Sequence, residues 1–373
     1  MRILITNLQF CGRSGTELYV FELALELVRQ GERPIVYSPK LGELADQLKA
    51  RAVPVVDRLD QITNPPDIIH GNHVLPTLTA LAHFPATPAI NVCHDCSAWH
   101  DRPVIHPRVK RHVAVDAACH QRLVEMESVD ERLVATHFNG VDLAKFHPRK
   151  PLPEKPNRAL LLSNYADDQT LKIAREACRQ RRITLHAAGR KLGGTTDRPE
   201  TLLRNYDVVL AKGRIAWEAL AVGCAVIVCD ARLIGQAVRS ENLQELRNWN
   251  FGRRTLQTEL TPPALITQLD RYCRDDAAKV SEHIRGSTGL QITASRLREL
   301  YGDVLEESGQ NPSSADEDLR SIADHLHWLS QHQRKLAGEI AERHSIPGTV
   351  KRLTRSLKRR RAVRRLASRP EAA

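Results

Sequence analysis

Short aliphatic runs alternating with amphipathic stretches recur along most of the chain, and this alternation constrains the fold more than any other feature. Ile3-Leu4-Ile5 reads as a strand, 16–30 as an amphipathic helix stopping before Gly31, Pro34-Ile35-Val36-Tyr37 as the next strand and 41–50 as the next helix. Further strands are predicted at 53–56, 67–69, 89–92, 112–115 and 133–136. Strands and helices at this spacing imply right-handed crossovers and a parallel sheet. Residues 146–158 break the pattern with Pro148, Pro151, Pro153 and Pro156, as an interdomain linker does. Alternation then resumes, with strands at 159–162, 183–187, 208–210 and 225–228 and helices at 169–179 and 215–222. Helical sequence fills 262–305. The expectation is an α/β protein of two Rossmann-like, doubly wound parallel-sheet domains, 1–148 and 157–305, facing a cleft. Ligands of such sheets bind beyond the carboxyl ends of the strands. Aromatic residues make up only 4% of the chain, so the core is aliphatic, as buried parallel strands require.

The 373 residues leave an appendage beyond two domains. Residues 307–318 read as a polar linker. After it Leu319, Ile322, Leu326, Leu329, Leu336 and Ile340 follow a 3-4-3 spacing that Gln333 interrupts. The segment 314–345 is therefore helical: either a coiled coil pairing two copies through 319–340, or a helix packed back on the body. Residues 351–369 carry ten cations and no acid, against a net charge of +11 for the whole chain, so the basic character belongs to a tail, 346–373. Val350, Leu353, Leu357, Val363 and Leu366 interleave with these cations. That pattern suits an amphipathic helix on an anionic inner membrane face; nonspecific nucleic-acid binding or simple solvation are the other readings. The longest apolar run, 219–229, is roughly half of what a spanning helix needs. The N-terminus lacks a secretory pattern, so the expected location is the cytoplasm. Eight scattered cysteines include one CxxC, Cys93-His94-Asp95-Cys96, with no second ligand pair beside it; reduced thiols and no metal are expected.

Four local features carry candidate chemistry. Gly12-Arg13-Ser14-Gly15-Thr16-Glu17 joins the first strand to the first helix, where backbone N–H groups and the helix dipole can hold an anion. It is not the GxGxxG of dinucleotide enzymes. His94-Asp95 follows the strand at 89–92, so a neutral imidazole at the cleft could accept a hydrogen bond from a substrate hydroxyl or stabilise developing charge; a structural histidine satisfied by its neighbour is the alternative. Lys212-Gly213-Arg214 precedes the helix bearing Glu218 and offers two cations beside a helix N-terminus, with a carboxylate suited to a ribose diol. Equally, Glu218 could be a favourable charge near a helix start and the two cations a solvated turn. Asn139-Gly140-Val141-Asp142 reads as a tight turn closing the first domain.

With these stretches on the page, residues 1–305 resemble the family 4 glycosyltransferases of GT-B fold. The resemblance rests on Ser14-Gly15-Thr16-Glu17, on His94-Asp95, on Asn139-Gly140-Val141-Asp142 followed by Phe146 and Pro148, and on Glu218-Ala219-Leu220-Ala221-Val222-Gly223-Cys224-Ala225-Val226. It implies retaining transfer of a sugar from a nucleotide-diphosphate sugar, with no cofactor or metal, to a saccharide, lipid-linked or small-molecule acceptor. It implies His94 and Glu218 as catalytic residues: His94 meets the donor sugar and Glu218, as the second Glu of E-x7-E, binds the ribose. Gly12, Ser14, Gly15, Thr16, Glu17, Asn139, Lys212, Gly213 and Arg214 become substrate-binding candidates, with Gly15 at the diphosphate. The sequence departs from the family twice. Leu210 stands where the first Glu belongs, and 162–169 lacks the family's phosphate-binding cations. Lys212 and Arg214 are the expected substitutes. These departures keep two other readings open: a GT-B-like nucleotide- or glycan-binding protein without turnover, and a sugar-nucleotide epimerase.

Overall fold

The computed structural model describes residues 1–194 and 198–344. These residues divide into two compact units, 1–312 and the chain from Ser313 onward. The expected basic tail, 346–373, lies outside the described residues.

The first unit holds two sheets. Its first lobe runs β1 (Arg2–Thr6), α1 (Gly15–Arg29), β2 (Arg33–Tyr37), α2 (Glu43–Lys49), β3 (Val55–Val56), β4 (Ile68–Asn72), α3 (Val74–His83), β5 (Ala89–Cys93), β6 (Val109–Ala114), α4 (Ala117–Gln121) and β7 (Val134–Thr136). The strand order is β3-β2-β1-β4-β5-β6-β7, and every pairing is parallel. The chain reverses its direction of travel between β1 and β4, which puts the ligand-binding crevice of a doubly wound sheet at their carboxyl ends. Ile3, Ile5, Val20, Leu23, Leu27 and Ile90 fill the core between this sheet and α1.

The second lobe runs β8 (Arg158–Leu162), α5 (Asp168–Gln180), β9 (Thr184–Ala188), α6 (Pro199–Leu203), β10 (Val208–Ala211), α7 (Gly213–Val222), β11 (Ala225–Asp230), β12 (Leu233–Ala237), α8 (Leu243–Asn248), β13 (Thr258–Glu259), α9 (Pro262–Leu269) and α10 (Arg274–Ser287). The order β13-β12-β11-β10-β8-β9 reverses between β8 and β10. Here the sheet differs from the expectation of an all-parallel one: β12 pairs antiparallel with β11, and β13 with β12. Gly235 explains the close approach at this edge, because a Cβ there would lie 2.2 Å from the Thr255 carbonyl oxygen.

α11 (Leu290–Gln310) leaves the second lobe and returns to the first. Its Leu297, Tyr301 and Val304 belong to the first lobe's core, beside Leu23 and Val113. The helix runs to Gln310, beyond the expected 305. The predicted linker at 307–318 shrinks to 311–314, since α12 (Ala315–His344) follows at once. Asn139-Gly140-Val141-Asp142 docks on the start of α11: the Val141 N–H donates to the Thr288 carbonyl at 2.8 Å, and the Leu290 N–H to the Val141 carbonyl at 2.9 Å. A Cβ on Gly140 would sit 2.6 Å from the Leu290 Cα, so this seam admits only glycine.

In α12, considered by itself, Leu319, Leu326, Leu336 and Ile340 are exposed at the heptad positions of the sequence pattern. Among the described residues, no helix is long and apolar enough to cross a membrane.

Candidate active site

The loop between β1 and α1 does not present all its N–H groups to solvent. Ser14 caps α1, and Glu17 completes the capping box. The Glu17 carboxylate then accepts from the N–H groups of Cys11 (2.9 Å), Gly12 (2.7 Å) and Ser14 (2.8 Å). Burial raises its pKa, but these bonds outweigh burial and hold it below the ordinary value. Glu17, sought as a substrate ligand, thus occupies the donors of the Gly12 loop. The N–H groups of Gly15 and Thr16 receive no partner from the helix itself and are the ones left to hold an anion.

A single residue, Lys212, separates the end of β10 from the start of α7, and this tight turn explains Leu210. Position 210 lies within the strand, fully buried among Ala159, Leu161 and Ile227. A carboxylate there would enter the core rather than the cleft. Lys212 sits at the N-cap with no side-chain capping bond, and the Gly213 N–H, at φ +56°, donates to the Phe251 carbonyl at 2.9 Å. The Arg214 and Ile215 N–H groups are the donors that the helix start leaves free of its own ladder.

Both cations expected to compensate a diphosphate have carboxylate partners. Lys212 Nζ lies 2.9 Å from Asp230 Oδ2 and 4.9 Å above the Tyr165 ring; the Ser163 hydroxyl donates to the other Asp230 oxygen. Arg214 spans the lobes, with Nη2 2.5 Å from Glu22 on α1 and Nε 2.7 Å from Glu218 one turn along α7. Burial pushes the Glu218 carboxyl up to about 6, although the Arg214 guanidinium pulls the other way. The two carboxylates hold the guanidinium pKa above its usual value despite burial.

His94 follows β5, and a chain of hydrogen bonds fixes its tautomer. The Asn72 amide donates to the Thr6 carbonyl at 2.9 Å, which turns its oxygen toward His94 Nε2 at 2.7 Å. Nε2 therefore carries the proton, and Nδ1 keeps its lone pair. The Tyr19 ring packs edge-on at 4.7 Å, and burial lowers the His94 pKa to about 3, so the imidazole is neutral at physiological pH.

The structure brings Arg214 and Glu218 against Glu22 in the middle of α1, whereas Gly15 and Thr16 stand at the start of that helix, about two turns away. It places Asn139 in the seam under α11, its side-chain oxygen buried without a hydrogen bond. Sequence reading missed Glu22, Asn72, His73, Tyr165, Asp101 and Asp230. Four of the six share a signal of position: Asn72, His73, Tyr165 and Asp230 lie at or just past the carboxyl end of a parallel strand.

Matched against solved structures, the chain superposes on a glycosyltransferase from Rickettsia africae with TM-score 0.59 at 16% identity, covering 82% of this chain and 98% of that one. Anabaena HepE in complex with UDP and glucose matches with TM-score 0.57 at 15% identity, over 80% and 99%. A Listeria monocytogenes protein assigned as a UDP-N-acetylglucosamine 2-epimerase matches with TM-score 0.50 at 13% identity, over 82% and 97%. No family model and no curated protein matches the sequence. Likenesses at these identities establish the fold: two Rossmann-like lobes in the GT-B arrangement.

Proposed function

We propose that the chain transfers a sugar from a nucleotide-diphosphate sugar to a hydroxyl of a saccharide, lipid-linked or small-molecule acceptor, with retention of configuration and without a metal ion. The supporting observation is the Glu22–Arg214–Glu218 bridge, which ties the first turn of α7 in one lobe to the middle of α1 in the other. The donor diphosphate lies on the N–H groups of Arg214 and Ile215 at the start of α7, with those of Gly15 and Thr16 at the start of α1 facing it from the other lobe. It draws Lys212 from Asp230 and Arg214 from its carboxylates by charge-assisted bonds. Glu218, freed of the guanidinium, accepts from the ribose diol. His94 Nδ1 accepts from a hydroxyl of the donor sugar. Stabilisation of the leaving diphosphate supplies the main catalytic effect. HepE, which shares the fold, binds UDP and glucose, and this supports the donor class.

A thermal-shift screen of nucleotide sugars, followed by transfer assays with and without EDTA, tests the reading. A diphosphate nucleotide at a hundred times its Kd stabilises a single-site protein by about 2.7 kcal/mol. No shift with any nucleoside diphosphate, or transfer abolished by EDTA, sinks the proposal. The carboxylate partners of Lys212 and Arg214 favour a second reading, nucleotide or glycan binding without turnover. Tight UDP binding without transfer or epimerisation of any sugar selects it.

The reading extends to location and assembly. The enzyme works in the cytoplasm, α12 joins two copies through 319–340, and residues 346–373 rest on an anionic membrane. Liposome flotation with and without 346–373 tests the last point; equal flotation removes it.

A further inference from the structure

Three side chains at the β1/β4 crevice are not used by the donor. His73, directly after β4, has φ +65°, a backbone value that non-glycine residues rarely adopt, and is only 3% exposed. The Leu8 N–H donates to its Nδ1 at 3.1 Å, so the proton of the neutral ring sits on Nε2. That Nε2–H is buried with no hydrogen-bond partner. Beside it lie His100 and Asp101, in the turn after β5. One ligand atom from each of the three residues falls within 4.8 Å of the others, and His100 Nε2 is 3.5 Å from Asp101 Oδ2. Asp101 is buried too, and its Oδ1 accepts the His94 N–H at 3.2 Å. Burial pushes its carboxyl up to about 7.

The chemistry of these atoms selects their ligand. A metal ion needs a lone pair on His73 Nε2, and the Leu8 N–H places the proton there instead. A phosphate or carboxylate would meet the ionised Asp101 carboxylate as a like charge. A hydroxyl oxygen fits, because it accepts from His73 Nε2–H while donating to Asp101 or to the His100 ring. An oxygen central to three atoms so spaced is about 3 Å from each, the distance of a hydrogen bond.

We propose that His73, His100 and Asp101 form a hydroxyl subsite that holds the saccharide acceptor in the first lobe. The proposal rests on the sugar-transfer reading above. It couples the acceptor to the donor through one carboxylate, since Asp101 also binds the backbone of His94.

The test uses the full-length protein with 15N-labelled histidine, titrated in the presence of UDP with the methyl glycosides of glucose, galactose, mannose and N-acetylglucosamine. The expected result is a saturable shift of the His73 and His100 ring signals with at least one glycoside. Asp101→Asn weakens that glycoside at least tenfold and leaves UDP affinity, read by calorimetry, within twofold. His100→Ala, at a half-buried ring, gives the same loss of glycoside binding should the Asp101 variant fail to fold. Silence from all four glycosides, shifts that survive the substitutions, or Zn2+ binding to the His73 ring overturns the subsite. Failure of UDP to bind the wild-type protein sinks the sugar-transfer reading instead, and the glycoside titration without UDP then tests the subsite by itself.

Discussion

At the scale of single residues, burial of histidine sets the response to acid. Burial pushes His70, His73 and His94 down to about 3, against about 6.5 in the unfolded chain. A group with a depressed folded pKa that is neutral when deprotonated stabilises the fold above its unfolded pKa. That contribution is lost as pH falls below 6.5 toward 3, because only the unfolded state takes the proton. Between pH 6.5 and 5 each ring costs about 2 kcal/mol. The urea midpoint should therefore fall steeply from pH 7 to pH 5; equal midpoints would contradict the buried neutral rings. Arg214 gives the second prediction. Arg214→Ala leaves Glu22 and Glu218 buried without their guanidinium, a loss of about 3–5 kcal/mol. The Glu218 carboxyl titrates at about 6, so the deficit should be smaller at pH 5, where that group takes up a proton. Urea melts of the variant at pH 5 and 8 check both the size and the sign.

Elements were legible in the sequence where their signal is local. The loop between β1 and α1, the break at 146–158 and the turn at Lys212 each announce themselves within a few residues. The antiparallel β12 and β13 did not, because Gly235 interrupts the apolar run of β12 and β13 is only two residues long. The site was half legible for the same reason. Gly15 and Glu218 stand in recognisable local patterns. Glu22 meets Arg214 across 192 positions of sequence, and no spacing rule reaches that far. Glu17 shows the limit from the other side, since its place in the motif is visible but not the inward turn of its carboxylate onto Cys11 and Gly12. For α12 the local pattern makes a direct prediction. Leu319, Leu326, Leu336 and Ile340 are exposed at core positions of a heptad, and Gln333 at a core position fixes register at some cost in stability. Sedimentation of the full chain should show a dimer, and Leu326→Asp a monomer with unchanged helicity in the first unit. A wild-type monomer at tens of micromolar would rule out pairing through this stripe.

For the molecule as a whole, the crossing of α11 makes the first lobe depend on sequence from beyond the second. Leu297, Leu300, Tyr301 and Val304 are buried against first-lobe residues, and the Tyr301 hydroxyl is 2.6 Å from His70 Nδ1, whose ring also reaches Tyr19 at 3.3 Å. Four such side chains at about 1.5–3 kcal/mol each contribute roughly 6–12 kcal/mol. A whole domain is stable by about 5–15 kcal/mol, so the lobe without α11 is left near zero. Residues 1–150 expressed alone should be unfolded or molten, with little near-ultraviolet circular dichroism. Adding a peptide of residues 288–312 should restore the signal saturably, and the peptide carrying Tyr301→Ala should do so poorly, because it lacks both the ring and the bond to His70. If 1–150 melts cooperatively without the peptide, the lobes are independent folding units and α11 merely tethers them. If the peptide rescues, opening and closing of the cleft must bend the chain at 137–142 and at the start of α11 rather than release α11 from the first lobe, because its detachment would cost that lobe its fold.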